Sequence, residues 1–110
     1  MSEAPVRVNR RLEPRYVVYR DCAVVFRGTS TDVTLLNVSR SGIAILGSLT
    51  AISPGDRVEI MIEGFFLNLE AIVCNVNYGR IGAKFDLVPA IAAAWQDEFE
   101  KMIAAVSPMP

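Results

Sequence analysis

The stretch RVEIMIE, residues 57–63, is the clearest strand in the sequence. Its apolar residues Val58, Ile60 and Ile62 occupy every second position, so one face of a strand can be buried while the other stays in water. A turn signal, SPGD at 53–56, precedes it, because proline presets φ and glycine can take a positive φ. The pattern predicts a half-buried strand of an antiparallel sheet.

Five further apolar runs predict strands at residues 16–26, 32–38, 42–46, 65–78 and 79–87. The first run, YVVYRDCAVVF, is rich in β-branched and aromatic residues and is followed by Gly28. The polar SRS between the second and third runs predicts a hairpin. The last two runs predict another hairpin that turns near Asn77 to Arg80.

The periodicity changes after Pro89 to three- and four-residue steps, at Ile91, Trp95, Phe99, Met102, Ile103 and Val106. Such spacing places these side chains along one side of a helix, which we predict over residues 89–106. The apolar stripe would close one mouth of the β structure or pack on its face. The fold is therefore predicted to be mainly β, a six-stranded antiparallel β-barrel with a C-terminal α-helix, with a β-sandwich as the alternative.

Length and composition predict a single domain. The chain has 110 residues, of which 52% are hydrophobic and 21% charged, enough for one core. Residues 1–9 lack periodicity and are expected to form a flexible N-terminal arm, with the barrel domain over residues 10–107. The N-terminus has no signal-peptide core, and no apolar run approaches the roughly 20 residues of a membrane span, so we expect a cytoplasmic protein without membrane insertion.

Charge is distributed unevenly along the chain. Residues 1–40 carry seven arginines against four acidic residues, a balance of +3, whereas residues 41–110 have a balance of −4. Arginine suits bidentate and stacking recognition of anions. The net charge of −1 disfavours a DNA or RNA polymer as partner, because such partners require excess positive charge.

Signatures of an enzyme or a metal site are missing from the sequence. There is no histidine, and neither a GxSxG motif, a phosphate-binding P-loop nor a GxGxxG motif occurs. The two cysteines, Cys22 and Cys74, lie 52 positions apart in apolar stretches, which predicts buried free thiols. We therefore expect no catalytic residues, no metal and no enzyme.

Two short motifs contain polar and charged side chains that could bind a ligand. RRLEPR, residues 10–15, contains an R-x-x-x-R pattern from Arg11 to Arg15, and NVSRSG, residues 37–42, is a polar turn. Each alone is more often a solvated tail or an ordinary Asx turn. However, the 21 residues between them, 16–36, have the length of one out-and-back hairpin. We therefore expect the two motifs to meet at one end of the barrel.

In these motifs the sequence resembles the PilZ domain family, bacterial receptors for cyclic di-GMP. The family pattern is R-x-x-x-R followed, after a strand pair, by [D/N]-x-S-x-x-G, which RLEPR at 11–15 and NVSRSG at 37–42 match. IGAKF at 81–85 also resembles the closing Gly-x-x-Phe element of the family. The resemblance covers nearly the whole chain and implies a six-stranded barrel with a C-terminal helix.

The resemblance implies a ligand-binding set of Arg10, Arg11, Arg15, Asn37, Ser39, Arg40 and Gly42. The two motif arginines would grip phosphates and guanine, and the asparagine and serine would hydrogen-bond guanine and phosphate. Gly42 would let the backbone approach the ligand. Arg10 matches family members that hold two intercalated ligand molecules, so two molecules of cyclic di-GMP per site are expected, with no other cofactor.

The function implied is that of a cyclic di-GMP receptor that changes the conformation of the N-terminal arm on binding and signals to an unknown downstream protein, in a setting such as motility or biofilm regulation. The alternative is a PilZ-like interaction adaptor that does not bind nucleotide. A barrel for single-stranded nucleic acid is disfavoured, because only 8% of residues are aromatic and the net charge is negative.

Overall fold

The computed structural model describes residues 13–110, so the arm predicted at residues 1–9, as well as Arg10 and Arg11, lies outside the described residues. The elements are β1 (Tyr16–Phe26), β2 (Thr29–Val38), β3 (Gly42–Leu46), β4 (Arg57–Ile62), β5 (Leu69–Asn77), β6 (Arg80–Phe85) and α1 (Pro89–Ile103). All paired strands are antiparallel, and they close in the order β1-β2-β3-β6-β5-β4. The predicted barrel with a C-terminal helix is confirmed, and the sandwich is wrong.

The β4 strand fills the core as its alternation predicts. Val58, Ile60 and Ile62 are 3%, 0% and 2% exposed, and the strand pairs with β1 on one side and β5 on the other. Inward-facing side chains from all six strands form one continuous apolar cluster. Burying such side chains stabilises the fold by roughly 25 cal/mol per Å² of apolar surface removed from water.

The α1 helix supplies the aromatic part of the core. Trp95, Phe99 and Met102 are buried, and the ring of Trp95 lies edge-on to Phe85 at 5.1 Å between centroids. Pro89 begins the helix, where its missing N–H costs no hydrogen bond. No helix within residues 13–110 is both long and apolar enough to cross a lipid bilayer.

The helix ends at Ile103, three residues before the predicted end at 106. The Val106 N–H donates to the Ile103 carbonyl at 3.0 Å, a turn geometry that redirects the chain. Pro108 then forms an antiparallel bridge with Tyr16, and the Met109 N–H donates to the Arg15 carbonyl at 2.7 Å. The apolar pattern continues through residue 106, but pairing with the start of β1 takes the chain out of the helix.

The described part of the first motif, residues 13–15, and the second motif lie at the barrel end that α1 covers. Tyr16, which follows the first motif, pairs with Val38 inside the second, and Val38 pairs with Ile43. The ring of Tyr16 also packs edge-on against Phe99 of α1 at 5.9 Å. The fold thus brings the two motifs side by side, as the hairpin length predicts.

Candidate functional site

A cleft of about 690 Å³ opens on the outside of the barrel beside the two motifs. It is lined by Glu13, Arg15, Ser39, Ser41, Gly42, Cys74, Asn75, Gly82, Ala83 and Lys84. One wall is formed by the segment before β1 and the turn between β2 and β3, and the other by β5 and β6. The volume lies within the range of roughly 300–1,000 Å³ typical of small-molecule sites.

Arg15 joins the two motifs directly. Its Nε donates a hydrogen bond of 2.9 Å to Oδ1 of Asn37, which is only 4% exposed. Arg15 lines the cleft, whereas Asn37 does not. The buried carboxamide therefore holds the arginine at the cleft wall, a contact that the resemblance did not imply. Direct hydrogen bonding of Asn37 to a ligand stays a prediction.

The turn of the second motif is closed by its own backbone. The Ser39 N–H donates to the Gly42 carbonyl at 2.9 Å, and the Ser39 hydroxyl lies 3.5 Å from the same oxygen. A Cβ on Gly42 would lie 3.0 Å from the Ala83 carbonyl oxygen, so a larger residue would push β3 away from β6. Ser39, which is 2% exposed, and Gly42 both line the cleft, and their contact with a ligand stays a prediction.

Glu13 provides a second link between the motifs. Its Oε1 accepts hydrogen bonds from the Ser41 hydroxyl at 2.6 Å and from the Ser41 N–H at 3.2 Å. The hydroxyl contact is the main cause that lowers the pKa of Glu13, against the opposing effect of burial. The carboxylate is therefore ionised at neutral pH.

Sequence reasoning missed both Glu13 and Ser41. Each occupies an x position of a motif, where the family pattern specifies no residue type. One signal for Glu13 was available, because it is an acidic residue inside an arginine cluster. A carboxylate that becomes partly buried needs hydrogen-bond donors. The serine-rich turn that the hairpin brings alongside supplies those donors.

Arg40 faces a different groove from Arg15, Ser39 and Gly42. This groove, of about 240 Å³, runs between the first motif and α1 and shares Glu13 with the cleft. The Arg40 carbonyl accepts a hydrogen bond of 2.8 Å from Nε1 of Trp95, which anchors the turn to the helix. Five of the seven predicted residues lie in the described part of the chain. Of these five, Arg15, Ser39 and Gly42 line the cleft, Asn37 is hydrogen-bonded to Arg15, and Arg40 lines the neighbouring groove.

The two cysteines differ in exposure, so the prediction that both are buried is correct for Cys22 and wrong for Cys74. A register shift between Val73 and Asn75 interrupts the alternation of β5 and leaves consecutive residues, Cys74 and Asn75, on its outer side. Burial raises the pKa of the Cys22 thiol to about 11, which keeps it protonated at neutral pH.

Comparisons with known proteins agree with this architecture. The family model described as PilZ domain matches residues 9–103. No curated protein sequence matches the chain.

Three solved structures share the fold. They are the Bacillus subtilis inhibitor of motility MotI (TM-score 0.65, 15% identity), MrkH, described as a cyclic di-GMP-dependent transcription regulatory factor (0.69, 14%), and Borreliella burgdorferi PlzA in complex with cyclic di-GMP (0.64, 14%). The superpositions cover 87%, 87% and 86% of this chain but 53%, 52% and 43% of those chains. The chain thus spans about half the length of the structures it matches, or less.

Proposed function

Because this chain belongs to the PilZ domain family, whose model matches residues 9–103, we propose that it is a receptor for cyclic di-GMP that binds the nucleotide in the cleft. The observation that carries the proposal is the hydrogen bond from Arg15 to Asn37, which joins the two family motifs at one cleft wall. MrkH and PlzA, which share the fold, are both described with cyclic di-GMP, and this supports the choice of ligand.

The chemistry of the cleft suits recognition without catalysis. A guanidinium can donate charge-assisted hydrogen bonds to phosphate oxygens or to the O6/N7 edge of guanine. We assign these contacts to Arg15 and, from the family pattern, to Arg11. Ser39 at the cleft wall offers a hydroxyl to the ligand, and Arg10 would stack on a guanine of a second molecule. In this proposal the protein is a cytoplasmic binding module and carries out no reaction.

The output proposed is a change in the N-terminal arm that a downstream protein recognises. The first motif follows residues 1–9 directly in the sequence, so ligand contacts at the motif would act on the segment that leads to the arm. MotI, an inhibitor of motility with the same fold, gives a precedent for an effector acting in motility.

Limited trypsin digestion tests the proposed change in the arm. The arm and first motif contain Arg7 and Arg10, two cleavage sites before residue 11. We expect cyclic di-GMP to slow cleavage at these sites while cleavage after Lys101, on the exposed side of α1, proceeds at the same rate. Identical rates at Arg7 and Arg10 with and without the ligand would contradict the proposed change.

Alkylation of Cys74 tests binding in the cleft. Cys74 is exposed and lines the cleft, so a bound nucleotide should shield its thiol from iodoacetamide. At a ligand concentration of about ten times Kd, we expect the rate to fall roughly tenfold, since only the unliganded fraction reacts. The rate is measured by mass spectrometry of the intact protein.

Two controls accompany this experiment. Cys22 is buried and its thiol pKa is raised, so it should stay unmodified in the folded protein. Cyclic di-AMP, with the same phosphates and a different base, should protect Cys74 much less. An alkylation rate that does not change with cyclic di-GMP would favour the interaction adaptor that binds no nucleotide.

A further inference from the structure

The described residues that line the cleft include a second cation besides Arg15. Among residues 13–110, the cleft is lined by two cations, Arg15 and Lys84, and by one anion, Glu13. The carboxylate of Glu13 is ionised through its contacts with Ser41. Without Lys84 the charges of Arg15 and Glu13 would cancel, so Lys84 adds positive charge for a ligand with two phosphates beside the arginines of the first motif.

Lys84 is placed where it can supply that charge. It lies on β6, where its Cα pairs with that of Gly42, the last residue of the second motif. The neighbouring Phe85 N–H donates to the Ser41 carbonyl at 2.8 Å, which fixes this end of β6 against the turn. Lys84 is exposed, and it forms no ion pair with any residue from 13 to 110. Its ammonium group therefore has no competing carboxylate partner in the described part of the chain.

Asn75 stands next to Lys84 on the same wall because of two features of the sheet. The register shift in β5 places Asn75 on the outer side, and Gly82 opposite leaves room for its side chain. A Cβ on Gly82 would lie 2.8 Å from Nδ2 and 3.0 Å from Oδ1 of Asn75. The carboxamide thus lies over the glycine within the cleft, where it presents a donor and an acceptor to a ligand.

We infer that Lys84 and Asn75 form a second binding wall, in which Lys84 contacts a ligand phosphate and Asn75 hydrogen-bonds the edge of a base. This inference rests on the proposed function and deepens it, because neither residue belongs to the two arginine and asparagine motifs. Gly82 has a specific role in this wall, because a side chain at this position would displace the Asn75 carboxamide.

Calorimetric titration of Lys84→Met with cyclic di-GMP tests the phosphate contact. Methionine keeps much of the length of the side chain and removes its charge. We expect roughly 10- to 100-fold weaker binding, the usual loss for one charge-assisted hydrogen bond. Lys101→Met is the matched control, because Lys101 is an exposed residue of α1 away from the cleft and should bind as the wild type does.

Asn75→Ala tests the contact with the base. We expect about tenfold weaker binding of cyclic di-GMP and a smaller preference over cyclic di-AMP. The control is Asn77→Ala, an exposed asparagine of the same strand that does not line the cleft. Binding by Lys84→Met or by Asn75→Ala equal to that of the wild type would overturn the role assigned to that residue, while leaving the proposed receptor function intact.

Absence of cyclic di-GMP binding by the wild type would overturn the proposed function. A second ligand then tests separately whether Lys84 and β6 bind phosphate. Inorganic pyrophosphate is titrated into the 15N-labelled protein by NMR. Shifts of the Gly82 and Lys84 amides in the wild type that disappear in Lys84→Met would support a phosphate site on β6. Absence of these shifts in the wild type would overturn the second wall as well.

Discussion

Arg15→Ala is expected to weaken cyclic di-GMP binding by at least roughly 100-fold in calorimetric titration. The substitution removes the guanidinium from the cleft wall and, with it, the charge-assisted contacts proposed for the ligand. It also leaves Oδ1 of Asn37, 4% exposed, without its hydrogen bond from Arg15 Nε. Losing one partner of a buried polar pair costs more than losing a surface charge, because the remaining group cannot regain water.

Two further variants separate the causes of this loss. Arg15→Lys keeps a positive charge but lacks the planar fork and the Nε donor, so it should bind more tightly than Arg15→Ala and less tightly than the wild type. Arg80→Ala removes an exposed arginine at the opposite end of β6 and should leave binding unchanged. A Kd of Arg15→Ala for cyclic di-GMP within about twofold of the wild-type value would show that Arg15 does not contact the ligand.

Trp95→Ala is expected to lower the free energy of unfolding by about 3–5 kcal/mol, a large part of the roughly 5–15 kcal/mol typical of a domain. Trp95 is 2% exposed, and its ring lies 6.0, 5.1 and 5.9 Å from the rings of Phe65, Phe85 and Phe99. Removing the indole leaves a cavity under the helix. Urea denaturation followed by circular dichroism measures the loss.

Trp95→Phe separates the contribution of the Trp95 hydrogen bond to the free energy of unfolding from that of packing. Phenylalanine retains an aromatic ring but cannot donate to the Arg40 carbonyl, which receives the Nε1–H at 2.8 Å. We expect a smaller destabilisation, about 1–3 kcal/mol, with amide shifts concentrated in the turn at residues 39–42. A free energy of unfolding for Trp95→Ala within about 0.5 kcal/mol of the wild type would contradict the packing described for α1.

The sequence pattern predicts the barrel because burial follows alternation in most strands, as in β4. The strand boundaries in the structure differ from the predicted ones where contacts outside the apolar run determine where a strand begins. β2 begins at Thr29, three residues before its apolar run, because Thr29 pairs with Phe26 across a tight turn. β5 begins only at Leu69, because Phe65 leaves the strand and packs on Trp95 instead. Neither contact is visible in local periodicity.

The candidate site is predictable only as far as its motifs extend. Arg15, Ser39 and Gly42 line the cleft, as their motifs suggest, but the pairing of Arg15 with Asn37 joins residues 22 positions apart. Lys84 and Asn75 reach the same cleft through strand register and a bulge in β5, and neither feature can be derived from residue types alone.

Isothermal titration calorimetry of the wild-type chain with cyclic di-GMP is the decisive test of the proposed receptor function. We expect saturable binding with a Kd on the order of micromolar or tighter and, from the family position of Arg10, two nucleotide molecules per chain. Cyclic di-AMP at the same concentrations should give much weaker binding. An absence of binding heat with cyclic di-GMP at several temperatures, together with unchanged NMR amide shifts at residues 39–42, would contradict the proposed receptor function.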